Sequence, residues 1–172
     1  AKSYVKSALF LAAEAGLWIA YMAYDNKADD LKAAYQAYHR SHYDPQKYIN
    51  WYQVISNDFQ EQRGTETLPH HGDGFYDADS VIYNHDYYEM TGKYAWFIIG
   101  WDDVNYEEIM ANSSHTSSDS RLSQMLFEYF NNSNRRYKYM NDRKEANDYY
   151  IFAKYVLGAT IFNHIFSAFD AA

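Results

Sequence analysis

The sequence predicts a mainly α fold: two long helices with apolar ends forming an antiparallel hairpin, plus a small helical and loop-rich middle region. Gly numbers 7 and Pro only 2 in 172 residues, too few for a loop-rich or all-β chain. Residues 4–24 and 149–169 are apolar around the whole helix rather than along one stripe, the pattern of a helix in a core or in lipid. Between them, over 25–148, polar sequence carries apolar residues at helical spacing. One domain of 1–172 is expected, with one core.

The first apolar segment, YVKSALFLAAEAGLWIAYMAY, is rich in Ala and Leu and has no Pro. Ala8 to Tyr24 holds one charge, Glu14. A membrane span needs about 20 residues, and Lys6 and Tyr4 would reach to the boundary. The helix is expected to continue as a polar stalk, with Leu31, Ala34, Tyr35 and Tyr38 on one face. Asp44-Pro45 should end it, because the residue before Pro is pushed out of the α region. A second helix is expected from Pro45 to about Asn57, burying Tyr48, Trp51, Tyr52 and Ile55. Residues 60–80 hold three Gly and one Pro and read as a loop.

A third helix is expected over Val81–Trp101, with Tyr87, Met90, Tyr94, Phe97 and Ile98 buried. After a polar loop at 111–120, Ser118 is the expected N-cap of the next helix, with Asp119 in its first turn. Asn131-Asn132-Ser133-Asn134 should break or kink that helix. Residues 149–169, interrupted by Lys154 and His164, are long enough to span. Two such ends joined through polar stalks suggest a hairpin whose middle sits on one side of a layer.

Net charge of -8 argues against a nucleic-acid partner. Cys is absent, which excludes disulfides, thiolate sites and iron–sulfur sites. Mean hydropathy of -0.63 leaves room for at most two spans. Twenty Tyr and ten Phe suit a wet interface, a membrane boundary or a tyrosine-rich core. The chain opens at Ala1 with no Met and no leader-like segment, so a start that is processed, trimmed or only partly seen is expected.

The blocks KSALFLAAEAGLWIAY, YYEMTGKYAWFIIGWDD and FNHIFSAFDAA resemble a family of uncharacterised envelope proteins of the Bacteroidota–Chlorobi lineage, the DUF5683 group. The matching positions are residues 6–21, Tyr87–Tyr94, Gly100–Asp103 and Asn163–Ala171, about a quarter of the chain. The Pro-Gly-x-Gly-Gln start of that family is missing. The resemblance implies a membrane protein of the cell envelope without an assigned activity.

Glu14 is the sharpest candidate, since a carboxylate in an apolar helix needs a partner, a proton or a wet cavity. An interhelical or subunit contact is the first reading and a proton site ranks well below it. The opposite helix offers Asn163 and His164. Glu14 lies ten residues from Tyr24 and His164 fifteen from Tyr149, an offset of about 7.5 Å at about 1.5 Å per residue. A direct bond is therefore expected to need a register shift or a second subunit. Lys6 and Asp170 are expected to pair at the far boundary. Gly16, Ala15 and Gly158 are candidates for close helix approach.

Tyr87, Tyr88, Trp101, Asp102 and Asp103 form a candidate partner surface, with Asp102 or Asp103 as cap of a helix over Tyr106–Met110. His70, His71 and Asp73, with Asp77 and Asp79, match no metal-ligand spacing, so they read as an acidic loop. His39 and His42 have zinc spacing but read as surface residues. No metal and no cofactor is expected. No nucleophile elbow, phosphate loop or dinucleotide fingerprint is present. The reading is a non-catalytic, membrane-anchored structural or accessory subunit of an envelope complex. Its partners are lipid and/or other subunits, in a homo- or hetero-oligomer. The alternative is a filament or tube subunit packed through its apolar ends.

Overall fold

The computed structural model describes residues 4–63, 76–77, 80–113 and 120–171, with side chains over 4–55, 81–113 and 121–169. It is a mainly α chain whose first and last helices form an antiparallel hairpin. Helix α1 runs Tyr4–His42 and α2 Pro45–Arg63. Strands β1 (Tyr76–Asp77) and β2 (Ser80–Val81) pair antiparallel, Tyr76 opposite Val81. Then follow α3 (His85–Lys93), a 3-10 helix (Ala95–Gly100), α4 (Tyr106–Ser113), α5 (Ser120–Asn132) and α6 (Asn134–Ala171). Two units divide the chain within its long helices: Ala1–Tyr35 with Asn141–Ala172, and Gln36–Met140.

The first unit is the antiparallel pair formed by the outer parts of α1 and α6. Its seam includes several small residues, with Tyr24 meeting Tyr149 and Phe152 across it. Ala146, Ala153 and Thr160, seven apart on α6, are buried, as are Ala28 and Tyr35, seven apart on α1. A seven-residue period keeps one face toward the partner helix, and small side chains let the backbones approach. Thr160 satisfies its hydroxyl on Val156 O at 3.0 Å. The expected close-approach glycines are elsewhere: a Cβ at Gly16 or Gly158 meets nothing within 4 Å. Ala15 is exposed as well.

Apart from that seam, apolar side chains point outward. Leu11 and Ile19 are each 70% exposed, and Leu9, Phe162, Ile165 and Phe166 are exposed too. Helix α1 is long and apolar enough to cross a membrane. Among the described residues α6 is not a second such helix, because Lys154, Asn163 and His164 interrupt it.

The second unit packs α2, α3, the 3-10 helix, α4 and α5 around aromatic residues. Tyr48, Trp51 and Ile55 of α2 are buried, and the Tyr48 ring meets Phe97 with centroids 4.4 Å apart. Trp51 donates to Ser113 Oγ at 2.8 Å, and Ser113 donates to Ile109 O at 2.6 Å. The buried Trp51 Nε1 and Ser113 Oγ are thereby both partnered, which burial demands.

The expected helix over Val81–Trp101 is broken. Asn84 caps α3 by accepting from Tyr87 N at 2.8 Å, with Asp86 in the first turn. Tyr94 is extended, and the chain restarts as the 3-10 helix. That turn buries Phe97, Ile98, Ile99 and Gly100 in succession, which a single face of an α-helix does not do. Asn131–Asn134 breaks the chain as expected, with Ser133 between α5 and α6.

Candidate functional site

Glu14 and His164 meet directly in the first unit. His164 Nε2 lies 3.0 Å from Glu14 Oε1, and Trp18 Nε1 donates to the same oxygen at 3.4 Å. The bond forms within one chain, without the neighbouring subunit that was one of its two expected routes, and side-chain direction favours it. A helical Cα–Cβ bond tilts toward the N-terminus. In an antiparallel pair Glu14 therefore leans outward and His164 leans back, so the two cross the offset between their Cα atoms. The Tyr150 hydroxyl donates to Asp29 Oδ1 at 2.5 Å with the same lean. Asn163 Nδ2 donates to Phe10 O at 3.3 Å, beside a groove lined by Lys6, Leu9, Phe10, Ala13 and Asn163. The expected Lys6–Asp170 pair falls on a side chain outside the described residues.

The second unit holds a buried histidine that sequence reasoning placed on the surface. The buried stripe of α1 passes through Tyr35 and His39, while Ala34 faces out. His39 is fully buried, with its Nε2 2.8 Å from Thr91 Oγ1. The rings of Tyr43, Tyr87, Tyr88, Trp101 and Tyr139 surround it at centroid distances of 4.7–5.3 Å. Among the described residues its Nδ1 has no hydrogen-bond partner. Burial, then the charge of neighbouring Arg40, pushes His39 down to about 3. The signal available in the sequence was the four-residue step from Tyr35.

Tyr87, Tyr88 and Trp101 are the walls of this cage and are buried, so they are not a partner surface. Trp101 Nε1 donates to Thr91 O at 3.0 Å, and Tyr139 donates its hydroxyl proton to Tyr88 O. Arg40 holds the Tyr88 hydroxyl at 2.7 Å. Gly100 lies flat against Tyr43, where any Cβ would enter the ring. Asp44 N donates to Gly100 O at 2.8 Å and Asp102 N to His42 O at 3.0 Å.

Asp102 and Asp103 are exposed, as expected of a surface, but they are occupied. Asp102 accepts from Arg135 Nε at 3.1 Å and lies 2.7 Å from His42 Nδ1. Partial burial would raise its carboxyl, and the bonds and charges of His42 and Arg135 outweigh that and hold it below the usual range. Asp103 takes Ser133 Oγ at 2.8 Å and Arg135 N at 3.0 Å. Ser133 Oγ in turn accepts from Arg136 N at 3.0 Å. The two residues thus cap α6. The cap of α4 is Asn105, which accepts from Glu108 N at 3.2 Å. Neither Asp102 nor Asp103 has that role.

Arg136 lies 3.4 Å from the Phe130 ring centroid and donates to Gly92 O at 2.7 Å. Among the described residues no group of three His, Cys, Asp or Glu is placed to hold a metal. His39 and His42 do not converge, since Thr91 takes one and Asp102 the other. His70, His71, Asp73 and Asp79, and the side chain of Asp77, lie outside the described residues.

These features define a helical protein with an outwardly apolar two-helix hairpin and a compact, aromatic-cored helical unit. Comparison with protein families, curated proteins and solved structures returns no match. The likeness to the envelope family therefore rests on the quoted blocks alone. Of these, Tyr87–Tyr94 and Gly100–Asp103 build the His39 cage and its acidic rim.

Proposed function

We propose that this chain is a non-catalytic, membrane-anchored structural or accessory subunit of a cell-envelope complex. The observation that carries the reading is the outward apolar surface of the hairpin unit. Leu9, Leu11, Ile19, Met22, Phe162 and Phe166 are exposed on its two helices. A soluble chain does not leave such a continuous surface to water. Lipid covers it, with Tyr4 and Lys6 near one boundary, where such side chains settle. The Bacteroidota–Chlorobi resemblance points to the same compartment.

The non-catalytic part is supported by how the ionisable groups are used. Asp102, Asp103, Arg135 and Arg136 join helix ends, and His39 is walled in by rings. Alkaline carbonate washing followed by detergent extraction tests the anchor. Retention in the pellet until detergent is added is the expected result. Release by carbonate alone would overturn it.

One observation favours a second reading, a filament or tube subunit. Helix α6 carries Lys154, Asn163 and His164 within its apolar stretch, so a shared protein core suits it as well as lipid. Electron microscopy of purified, detergent-free protein separates the two, since only the second predicts regular polymers.

A further inference from the structure

We infer that the hairpin unit crosses the whole hydrocarbon layer, with Lys6 and Lys154 seated on phospholipid phosphates at its two opposite faces. This rests on the reading that lipid surrounds the unit, and it sets where the lipid begins and ends and which headgroup atoms the chain meets.

Lys6 and Lys154 are the only Lys or Arg residues within 4–24 and 149–169, and both side chains are exposed. An ammonium group leaves hydrocarbon wherever its stem can carry it to the boundary. Side-chain direction decides which boundary. Each helical Cα–Cβ bond tilts toward its own N-terminus. On α1 that sends Lys6 toward the end carrying Tyr4. On α6, which runs the other way, it sends Lys154 toward Tyr149 and the polar stalk. The two lysines lean apart.

Their spacing fits a bilayer. Tyr24 meets Tyr149 and Phe152 with ring centroids 6.2 and 5.8 Å apart. Fourteen residues further along both helices Asn163 reaches Phe10 O, so the pair keeps step. Counted from the Tyr24–Tyr149 level, Lys154 lies five residues in and Lys6 eighteen. Their Cα atoms are therefore about 20 Å apart in depth at about 1.5 Å per residue. Two four-carbon stems leaning in opposite directions widen that interval toward the ~30 Å of a hydrocarbon core. Between the two levels Leu9, Leu11, Ile161 and Ile165 are exposed, and Glu14 and His164 are paired with each other. Exposed Tyr24 and Tyr155 stand near one level and Tyr4 near the other, where aromatic belts form.

The anion at each boundary is the lipid phosphate. An ammonium group carries three donors, so it serves a phosphate beside any contact of its own, through charge-assisted bonds stronger than neutral ones.

An impermeant amine-acylating reagent reads both lysines in the unaltered full chain. In sealed membrane vesicles of one orientation, Lys154 should react from the same side as the exposed stalk residue Lys32, and Lys6 from the opposite side. Reaction of Lys6 and Lys154 from one side would overturn the crossing, as would a Lys154 that reacts from neither. Carbonate washing of the same membranes reports the anchor separately. A carbonate-resistant chain with both lysines on one side fails the crossing and keeps the anchor.

The phosphate contact has its own readout. The full chain is placed in vesicles of phosphatidylcholine or of a neutral galactolipid, which has no phosphate. Neither lipid carries net charge. Acylation of Lys6 and Lys154 relative to Lys32 should be several-fold slower in phosphatidylcholine, because a bonded ammonium is a poorer nucleophile. Equal ratios in the two lipids would overturn the phosphate partner.

Discussion

His39 Nε2 donates to Thr91 Oγ1 at 2.8 Å, and that bond settles which ring nitrogen holds the proton. Thr91 gives its own hydroxyl proton to Tyr87 O at 3.0 Å, so it accepts from the ring. Nδ1 keeps its lone pair and faces the aromatic cage. Protonation there would add a buried charge with an N–H that has no acceptor.

Stability should accordingly fall in acid. The folded His39 titrates at about 3 against 6.5 in the open chain. Between those values the unfolded chain binds the extra proton, so stability rises with pH. The contribution is whole above pH 6.5 and is lost as pH falls toward 3. One proton gives a slope of at most about 1.4 kcal/mol per pH unit. Denaturant titrations of the chain and of His39→Asn at several pH values between 5 and 7 should differ in slope. Parallel profiles would contradict the neutral, buried imidazole.

Close packing at Gly100 makes a second expectation. A methyl group at that position enters the Tyr43 ring, so Gly100→Ala should cost about 1–3 kcal/mol. Gly158→Ala is the control, since nothing lies within 4 Å of it. It should be neutral or stabilising by up to about 1 kcal/mol, as helix propensity dictates. Thermal midpoints of the two variants should move in opposite directions or by clearly unequal amounts.

The long helices were legible because apolar runs and the Asp44-Pro45 stop are local signals. Helix α1 ends at His42 and α2 starts at Pro45 as the residues before proline require. The break at Tyr94 was not legible, because α3 and the 3-10 helix differ in tertiary burial rather than in propensity. The roles of Asp102 and Asp103 were hidden for another reason. Their partners His42, Ser133 and Arg135 are 30 to 60 residues away in sequence. A cap from another segment leaves no spacing to read. The Glu14–His164 contact was within reach, had the tilt of the Cβ atoms been added to the depth of the Cα atoms.

The start of α6 depends on two caps at once. Ser133 Oγ serves Arg136 N and Asp103 Oδ2 serves Arg135 N. Ser133→Ala and Asp103→Ala should each cost about 0.5–2 kcal/mol. The double variant should cost less than the sum, because Ser133 Oγ also donates to Asp103. Amide exchange at Arg135 and Arg136 should accelerate first, ahead of the helix interior. Loss of protection spread evenly along α6 would argue against a terminal cap.

The anchor makes the most direct demand on single residues. Ile19 faces outward on α1 within the apolar segment 4–24. An Arg at the centre of a membrane helix costs about 2.5–3.5 kcal/mol on insertion scales, enough to shift a short span out of the bilayer. Ile19→Arg should therefore raise the carbonate-extractable fraction of the chain. Phe127, an exposed apolar residue of α5 in the other unit, is the matched comparison. Phe127→Arg replaces as large a side chain at a site that the lipid reading leaves in water, so its extraction should not change. If instead the hairpin lies in a shared protein core, Ile19→Arg still unseats it, but the lost property is polymer length and the chain stays carbonate-soluble throughout. The two substitutions read in both assays thus separate burial by lipid from burial by neighbours, because only lipid ties the Ile19 effect to extraction.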